Sequence, residues 1–267
     1  MISVDHLTVT FNQGTPLENT VLNDFNLNIK QGQFVTVIGS NGAGKSTLLN
    51  AISGEVNSNQ GQILLDQQDI TAWPVHKRAP YLARVFQDPL SGTCENLSIE
   101  ENLALAQLRT QPHSLSRAAK KSYRLRFIDK LKTLQLGLEN RLNDKIGLLS
   151  GGQRQAVSLL MASLQPMKLL LLDEHTAALD PKTAQFILAL TNDIIRAEKL
   201  TALMITHSMK QALSVGDRTI MLHQGKLALD IEGEQRDNMD IQDLIDRFHQ
   251  NHSALDDDAL LLESTLS

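Results

Sequence analysis

Two short stretches of the sequence combine residues that handle phosphate, carboxylate and metal chemistry. GSNGAGKS, residues 39–46, has the spacing G-x-x-x-x-G-K-[ST], in which glycines let main-chain N–H groups curl around phosphate oxygens. LLLLDEHTAALD, residues 169–180, places Asp173, Glu174 and His175 side by side after an apolar run. These residue types suit Mg²⁺-assisted attack on a phosphate, general base chemistry, or a metal site that uses the histidine.

The first stretch predicts a phosphate-binding loop, because it follows a strand-like apolar run and opens a helical pattern. We expect Lys45 to reach the β- and γ-phosphates of ATP and Ser46 to hold Mg²⁺. The partial positive charge of the helix N-terminus favours the same phosphates. The residues expected to contact the nucleotide here are Gly39, Ser40, Asn41, Gly42, Ala43, Gly44, Lys45, Ser46 and Thr47.

The second stretch predicts the acidic half of the same site. The leucine run is typical of a buried strand, whose end delivers Asp173 as a Mg²⁺ ligand, through water. Glu174 then follows as the general base, or the residue that positions water for attack on the γ-phosphate. The alternative is an acidic pair on a surface turn.

A third stretch, LSGGQRQ at 149–155, is the signature of the ATP-binding cassette (ABC) ATPases, and on it the chain resembles that family. The resemblance implies that Ser150, Gly151, Gly152 and Gln153 contact a γ-phosphate bound to the opposite subunit. ATP would therefore be shared between two chains, the second being a copy of this one or a close paralogue.

Other elements of the family pattern occur in the expected order between Phe11 and His207. Gln87, in VFQDP, matches the glutamine that contacts Mg²⁺ and links to the transmembrane partner. His207, in MITHS, matches the histidine that contacts the γ-phosphate. Residues 177–180, AALD, match the D-loop of the family. Phe11 matches the aromatic residue that stacks on adenine, although a single Phe in a strand is also a common core residue.

Alternating strands and helices predict an α/β fold, namely a P-loop (RecA-like) core with an N-terminal antiparallel β subdomain and an inserted α-helical subdomain. We expect one ABC ATPase domain over residues 1–250. Its nucleotide-binding core would comprise 1–87 and 166–235, and its helical subdomain 88–165. Residues 236–267 are expected to form a C-terminal helix and an acidic tail.

Local signals place several element ends. Ser98 to Glu101 predicts a capping box, Asp180 followed by Pro181 predicts a helix start, and Gly225 predicts a hairpin turn. A helical pattern over 114–136 has Gly137 as its expected stop. The apolar positions of that pattern are Leu115, Ala118, Leu125, Ile128, Leu131 and Leu134.

The composition is that of an ordinary globular protein, with 42% hydrophobic residues and a net charge of −5. This charge does not favour nucleic acid as a partner. The single cysteine, Cys94, suits a reducing compartment. We see neither a signal peptide nor an apolar stretch that could cross a bilayer, so any work at a membrane would go through a partner protein. The resemblance to the ABC ATPases implies a peripheral position on the cytoplasmic face of the inner membrane.

The resemblance implies the ATPase subunit of a transporter that works through a separate membrane permease. RLNDKIGL, before LSGGQ, lacks the T-x-V-G-E-x-G stretch of many exporters, which favours import. Three features resemble those of an importer subgroup, namely FQDPLSGT, AVSLLMASL and His175. The ATPases of that subgroup work with a branched-chain-amino-acid-type permease and a lipoprotein-type binding protein. Amino acids, aromatic ones among them, are the suggested cargo. The alternatives are an exporter ATPase, or a soluble ABC ATPase acting on nucleic acid or ribosomes.

His175 and the basic residues of 109–132 each have more than one interpretation. His175 stands where relatives carry proline, and could shape the turn, contact the other subunit, or bind a metal. Residues 109–132 hold eight Lys or Arg side chains against one acid, which suits a solvated helix face or contact with anionic headgroups.

Overall fold

The structure is a computed structural model that describes residues 1–109 and 121–251. The strands are β1 (Ile2–Phe11), β2 (Asn19–Ile29), β3 (Phe34–Gly39), β4 (Gln60–Leu65), β5 (Gln68–Asp69), β6 (Leu82–Val85), β7 (Leu169–Asp173), β8 (Ala202–Ile205), β9 (Arg218–His223) and β10 (Lys226–Glu232). The α-helices are α1 (Lys45–Ser53), α2 (Val75–Arg78), α3 (Ile99–Gln107), α4 (Lys121–Lys132), α5 (Gly151–Ser163), α6 (Pro181–Ala197), α7 (Met209–Ser214), α8 (Glu234–Asp237) and α9 (Ile241–Asn251). Within the described ranges, no helix has the length and apolarity that a bilayer crossing requires.

By packing, the chain divides into two compact units. Of the described residues, the first unit contains 1–78 and 200–251, and the second contains 79–109 and 121–199. The second unit includes the described residues of 88–165, the strand β6 before them, and the strand β7 and the helix α6 after them. The boundaries expected for the core and the helical subdomain stay a prediction.

An antiparallel sheet in the first unit has the strand order β2-β1-β4-β5. Its inward residues alternate along β1, where Ile2, Val4, Leu7 and Val9 are buried. A register shift between Val4 and Leu7 accommodates the odd spacing of this pattern, and His6 there has a φ of 52°. The N-terminal antiparallel β subdomain is confirmed, although β4 and β5 also belong to its sheet.

A second sheet in the first unit joins β10, β9, β3 and β8 in that order. β3 is parallel to both β8 and β9, and FVTVIG is buried along nearly its whole length, as a strand covered on both faces must be. Because parallel strands end at the same edge of a sheet, the residues after Gly39 and after Ile205 share one edge. This edge carries the phosphate loop and His207.

The C-terminal part of the first unit packs on the same sheet. β9 and β10 form the predicted hairpin about Gly225, whose φ is 74°. α9 buries Leu244 against Met221 and Leu229. The predicted C-terminal helix is therefore present up to Asn251, and the predicted acidic tail lies outside the described residues.

Within its described residues, the second unit contains the four helices α3 to α6 and the parallel pair β6 and β7. Three of these helices begin at a side-chain cap: Ser98 caps α3 in a full capping box, Ser150 caps α5, and Asp180 caps α6 with Pro181 at its first position. The apolar core between α3, α4, α5 and α6 includes Leu103, Leu131, Leu160 and Ile187.

The helical pattern predicted over 114–136 is only partly present. α4 ends at Lys132, because Gln135 takes a φ of 55° and the Thr133 hydroxyl donates to the Lys130 carbonyl oxygen. Gly137 begins a short 3-10 turn instead of ending the helix. Leu125 is 65% exposed, so Phe127 takes the inward position that the pattern gave to Leu125. Leu115 and Ala118 lie outside the described residues.

Candidate active site

The phosphate loop begins where β3 ends, and its glycines adopt backbone shapes that other residues avoid. Gly39, Gly42 and Gly44 have φ values of 148°, 79° and 102°. A Cβ atom on Gly39 would lie 2.3 Å from the carbonyl oxygen of Leu222, so no side chain fits there. At Gly42, no other group lies within 4 Å of the added atom, and its left-handed backbone alone favours glycine.

Lys45 is the first residue of α1, and its side chain folds back over the loop. Its Nζ donates to the carbonyl oxygens of Gly39 and Ser40, at 2.7 and 3.0 Å. The residue is only 5% exposed, while the neighbouring Ser46 is exposed. The ammonium therefore lies at the mouth of the loop, where the N-terminal dipole of α1 adds positive potential.

The loop is tied to neighbouring strands of the same unit by main-chain hydrogen bonds. The amide of Ala43 donates to Ser40, and the amide of Gly225 donates to Ala43 at 3.1 Å. The carbonyl oxygen of Gly225 in turn accepts from the amide of Asn23 on β2, at 3.2 Å. The hairpin turn thus holds the loop from one side.

Two further predicted residues belong to the first unit. His207 is exposed two residues after β8, beyond Thr206, whose amide donates to the Val37 carbonyl oxygen at 3.1 Å. His207 therefore lies at the sheet edge that also carries the phosphate loop. Phe11 ends β1 and is 38% exposed, so part of its ring faces solvent and is available for stacking. Its role in adenine binding stays a prediction.

In the second unit, Asp173 ends β7 in an ion pair that the sequence did not indicate. Nη2 of Arg84, on the neighbouring strand β6, lies 2.5 Å from Oδ2 of Asp173. The guanidinium carbon also lies 4.8 Å from the centroid of the Phe86 ring. The two charged side chains are only 12% and 15% exposed, so the pair is shielded from most of the solvent.

A pocket of about 420 Å³ brings Gln87 and Asp173 together within the second unit. Its walls consist of Phe86, Gln87, Asp88, Ser91, Asp173 and Ala178. Gln87 is exposed, whereas Asp173 is partly buried. Two of the three residues predicted to bind Mg²⁺ therefore face one cavity, and an amide and a carboxylate there offer oxygen ligands.

Glu174 has a left-handed backbone, with a φ of 45°. This conformation is uncommon for a residue with a side chain. The Glu174 carbonyl oxygen accepts from the amide of Ala177 at 2.9 Å, which closes a tight turn. The turn leads through residues 177–180 into Asp180, the cap of α6.

The signature segment forms the start of α5. The Ser150 hydroxyl accepts from the Gln153 amide, and the Gln153 side-chain oxygen accepts from the Ser150 amide. Gly152 is buried so closely against α6 that a Cβ atom would lie 2.2 Å from Cγ2 of Thr183. The Gln153 side chain thus completes a capping box here, and its predicted contact with nucleotide stays a prediction.

Gln155, two residues further along α5, is fully buried, and its Nε2 donates to the Phe86 carbonyl oxygen at 3.3 Å. This bond connects the signature helix to the residue just before Gln87. Sequence reasoning missed both Gln155 and Arg84. For Arg84, a charged residue inside the strand-like run LARVFQ is a signal that could have been used.

His175 points into the interior of the second unit. It is 2% exposed, and its Nε2 lies 2.9 Å from Oγ1 of Thr191 on α6. Burial lowers the pKa of the imidazole from 6.5 to about 4, so the ring is neutral at physiological pH. A side chain enclosed in its own chain fits the turn-shaping interpretation, since contact with a second subunit requires exposure.

The basic run is described only in part, and its described side chains have several partners within the second unit. Arg109 and Arg126 donate to carbonyl oxygens at the end of α5 and just beyond it. Arg124 pairs with Glu100, Lys130 with Glu198, and Lys132 with Asp129. These pairs favour a solvated helix face for the described portion.

A parallel strand ending in a glycine-rich phosphate loop, and a second one ending in an Asp-Glu pair, define a P-loop nucleotide hydrolase of the α/β class. The chain belongs to the ABC transporter family, whose model matches residues 22–177. As a member with the phosphate loop, the acidic pair and the signature segment intact, it is an ATPase.

Two ATP-binding proteins of transport systems are similar to this chain in sequence. A tyrosine transport ATP-binding protein of Clostridioides difficile (strain R20291) is 43% identical over 249 residues, which cover 93% of this chain and 98% of the relative. The spermidine/putrescine import ATP-binding protein PotA of Haemophilus influenzae is 35% identical over 79% of this chain, which spans 54% of that longer protein.

Solved structures of ATP-binding cassettes share the fold. A dimeric post-hydrolysis state of a cassette bound to ADP and Pi superimposes with a TM-score of 0.75 at 28% identity, over 87% of this chain and 98% of that one. A nucleotide-free cassette from an ABC transporter also has a TM-score of 0.75, at 22% identity, and this second likeness concerns the fold alone. The predicted α/β P-loop fold is confirmed.

Proposed function

We propose that this chain powers the import of a small solute, an amino acid of the aromatic class, through a separate membrane permease. The observation that carries the proposal is its 43% identity to a tyrosine transport ATP-binding protein over nearly the full length of both chains. The absence of the exporter-like stretch before the signature segment points the same way. The chain would then lie on the cytoplasmic face of the membrane, held there by the permease.

In the proposed reaction, the phosphate loop and Lys45 hold the β- and γ-phosphates of ATP. Glu174 accepts the proton of the attacking water, and His207 contacts the γ-phosphate as the oxygen–phosphorus bond breaks. Phe11 stacks on the adenine. Each of these groups lies at the end of a strand or the start of a helix, so rigid elements set its position.

The residues proposed to bind Mg²⁺ fit that ion by their chemistry. The Asp173 carboxylate, the Ser46 hydroxyl and the Gln87 amide oxygen are hard oxygen donors. Gln87 and Asp173 face one pocket of the second unit. When bound, Mg²⁺ offsets the negative charge of the β- and γ-phosphate oxygens.

The signature residues Ser150, Gly151, Gly152 and Gln153 are proposed to act on ATP held by a second subunit. Exposed Ser150 and Gly151 open α5, whose N-terminus presents main-chain N–H groups that suit a phosphate. A structurally similar cassette with ADP and Pi is dimeric. Two copies of this chain, or this chain and a close paralogue, would therefore form two sites, with a substrate-binding protein delivering the cargo to the permease.

Glu174→Gln tests the catalytic part of the proposal. The substitution keeps the size of the side chain and removes its basicity, so we expect ATP to bind while turnover stops. Phosphate release and size-exclusion chromatography with ATP are the measurements, and a stable ATP-bound dimer is the expected product. Phosphate release near the wild-type rate would show that Glu174 is not the base.

Reconstitution tests the transport part. The detergent-solubilised complex is purified through this chain, its co-purifying chains are identified by mass spectrometry, and the complex is placed in proteoliposomes. We expect ATP on the cassette side to drive uptake of labelled tyrosine, with the Glu174→Gln complex as the inactive control. Export of the label, or co-purification without any permease, would overturn the assignment.

A further inference from the structure

We propose that His175 is a positioning residue for Glu174, which it holds in place through a buried hydrogen bond to Thr191. The inference rests on the proposed role of Glu174 as the base.

The hydrogen-bond chain has a definite direction. Oγ1 of Thr191 donates its single proton to the Ile187 carbonyl oxygen, 2.8 Å away and one turn earlier on α6. The same oxygen lies 2.9 Å from Nε2 of His175, so it must accept there. Nε2 of His175 therefore carries a proton and donates it to the Thr191 hydroxyl.

This bond crosses from the turn to the middle of α6. Thr191 is fully buried, on the helix face that also carries Ile187 and Ile195. A threonine hydroxyl bonded to the preceding turn of its own helix needs no second partner. The imidazole, by contrast, would be a costly group to bury without one. The side chain is therefore anchored by the bond as well as by its packing.

The anchor lies next to the strained residue. Glu174 is flanked by Asp173, the last residue of β7, and by His175, whose side chain is fixed to α6. The left-handed backbone of Glu174 persists only where its surroundings hold it. If the bond to Thr191 is lost, residues 174–177 can relax toward an ordinary backbone. The Glu174 carboxylate then moves away from the attacking water.

Thr191→Val is the matched test, because valine keeps the branched shape and removes only the hydroxyl. We expect kcat for ATP to fall roughly tenfold or more, since a displacement of about 1 Å can cost up to a hundredfold. We expect KM and the affinity for ATP to change less than about twofold, because the phosphate loop belongs to the other unit. Thr191→Ser keeps a hydroxyl and should therefore have a kcat close to that of the wild type. His175→Gln keeps an N–H donor in its amide and should therefore have a higher kcat than His175→Ala.

A double-mutant cycle separates positioning from general structural damage. In a Glu174→Gln background, the slow residual hydrolysis measured under single-turnover conditions should be the same with and without the Thr191→Val change, because the group that is positioned has been removed. An equal loss in both backgrounds, or a matching rise in KM, would overturn the proposal. If Thr191→Val fails to fold, His175→Ala and His175→Gln are compared in the same cycle, and equal activity of the two overturns it.

The cycle also distinguishes this inference from the proposed function. Wild-type turnover by Glu174→Gln overturns the role of Glu174 itself. Wild-type kcat for Thr191→Val, beside an inactive Glu174→Gln, overturns only the positioning role of His175.

Discussion

Mild acid should destabilise this protein through His175 in particular. Burial lowers the pKa of this imidazole from 6.5 to about 4, so the folded chain keeps the ring neutral where the unfolded chain would protonate it. The unfolded state therefore binds more protons in this range, and stability falls as the pH falls. The contribution is fully present above about pH 6.5 and is lost progressively as the pH falls toward 4.

The size of the effect follows from the same two values. Between pH 7.5 and pH 5, the linkage relation gives a loss of about 2 kcal/mol for a group with pKa values of 6.5 unfolded and about 4 folded. This is a large part of the 5–15 kcal/mol (roughly) that stabilises a typical protein. His175→Gln has no titrating group at this position and should not show this part of the loss.

The assay is urea unfolding of the wild-type chain and of His175→Gln at pH 7.5 and pH 5, followed by the fluorescence of Trp73. The decrease in the free energy of unfolding between the two pH values is compared for the two proteins, so the contributions of the other histidines cancel. We expect the wild-type free energy of unfolding to fall by about 2 kcal/mol more than that of the variant. Equal falls would show that the ring of His175 is accessible to solvent, which would refute the buried tie to Thr191 as well.

Two further substitutions test other parts of the site. Phe11→Ala should weaken ATP binding by roughly five- to 150-fold, because a base–aromatic stack is lost, whereas Phe11→Tyr should not weaken it. Isothermal titration calorimetry measures both affinities, and unchanged affinity in a folded Ala variant would make Phe11 a core residue. Arg84→Met leaves the Asp173 carboxylate without its cation and should lower the free energy of unfolding by ~3 kcal/mol, with part of the loss recovered in Arg84→Met/Asp173→Asn. Simple additivity of the two changes would contradict an energetically coupled pair.

Much of the molecule could be predicted because its signals are local. The phosphate loop, the capping box at Ser98 and the Asp180-Pro181 start each depend on residues within a few positions of one another, and each is present in the structure. The apolar runs FVTVIG and LLLLD predicted buried strands for the same reason. Strand ends then placed the loop and His207 at one edge of a sheet.

The parts that could not be predicted depend on pairings between distant positions. Arg84 meets Asp173 only because β6 and β7 pair in a register that sets Arg84 beside Leu171, and nothing in either stretch specifies that register. His175 reaches Thr191 only because of how α6 packs on the turn before it. Leu125 was assigned to the core by its spacing, yet the neighbouring Phe127 occupies that place, since helical periodicity alone does not fix the phase of a short helix.

The hairpin turn at Gly225 has a consequence for how the phosphate loop meets its ligand. Gly225 forms main-chain hydrogen bonds with both Ala43 and Asn23, so the phosphate loop is already ordered in the folded chain. Binding of a triphosphate therefore does not require a further loss of conformational entropy in the loop. A Cβ atom at position 225 would lie 2.3 Å from the Val21 carbonyl oxygen, so a side chain there would push the turn off the loop. Gly225, although far along the chain from residues 39–46, thus contributes to the affinity for ATP. Replacing Gly225 should speed amide hydrogen exchange at Ala43.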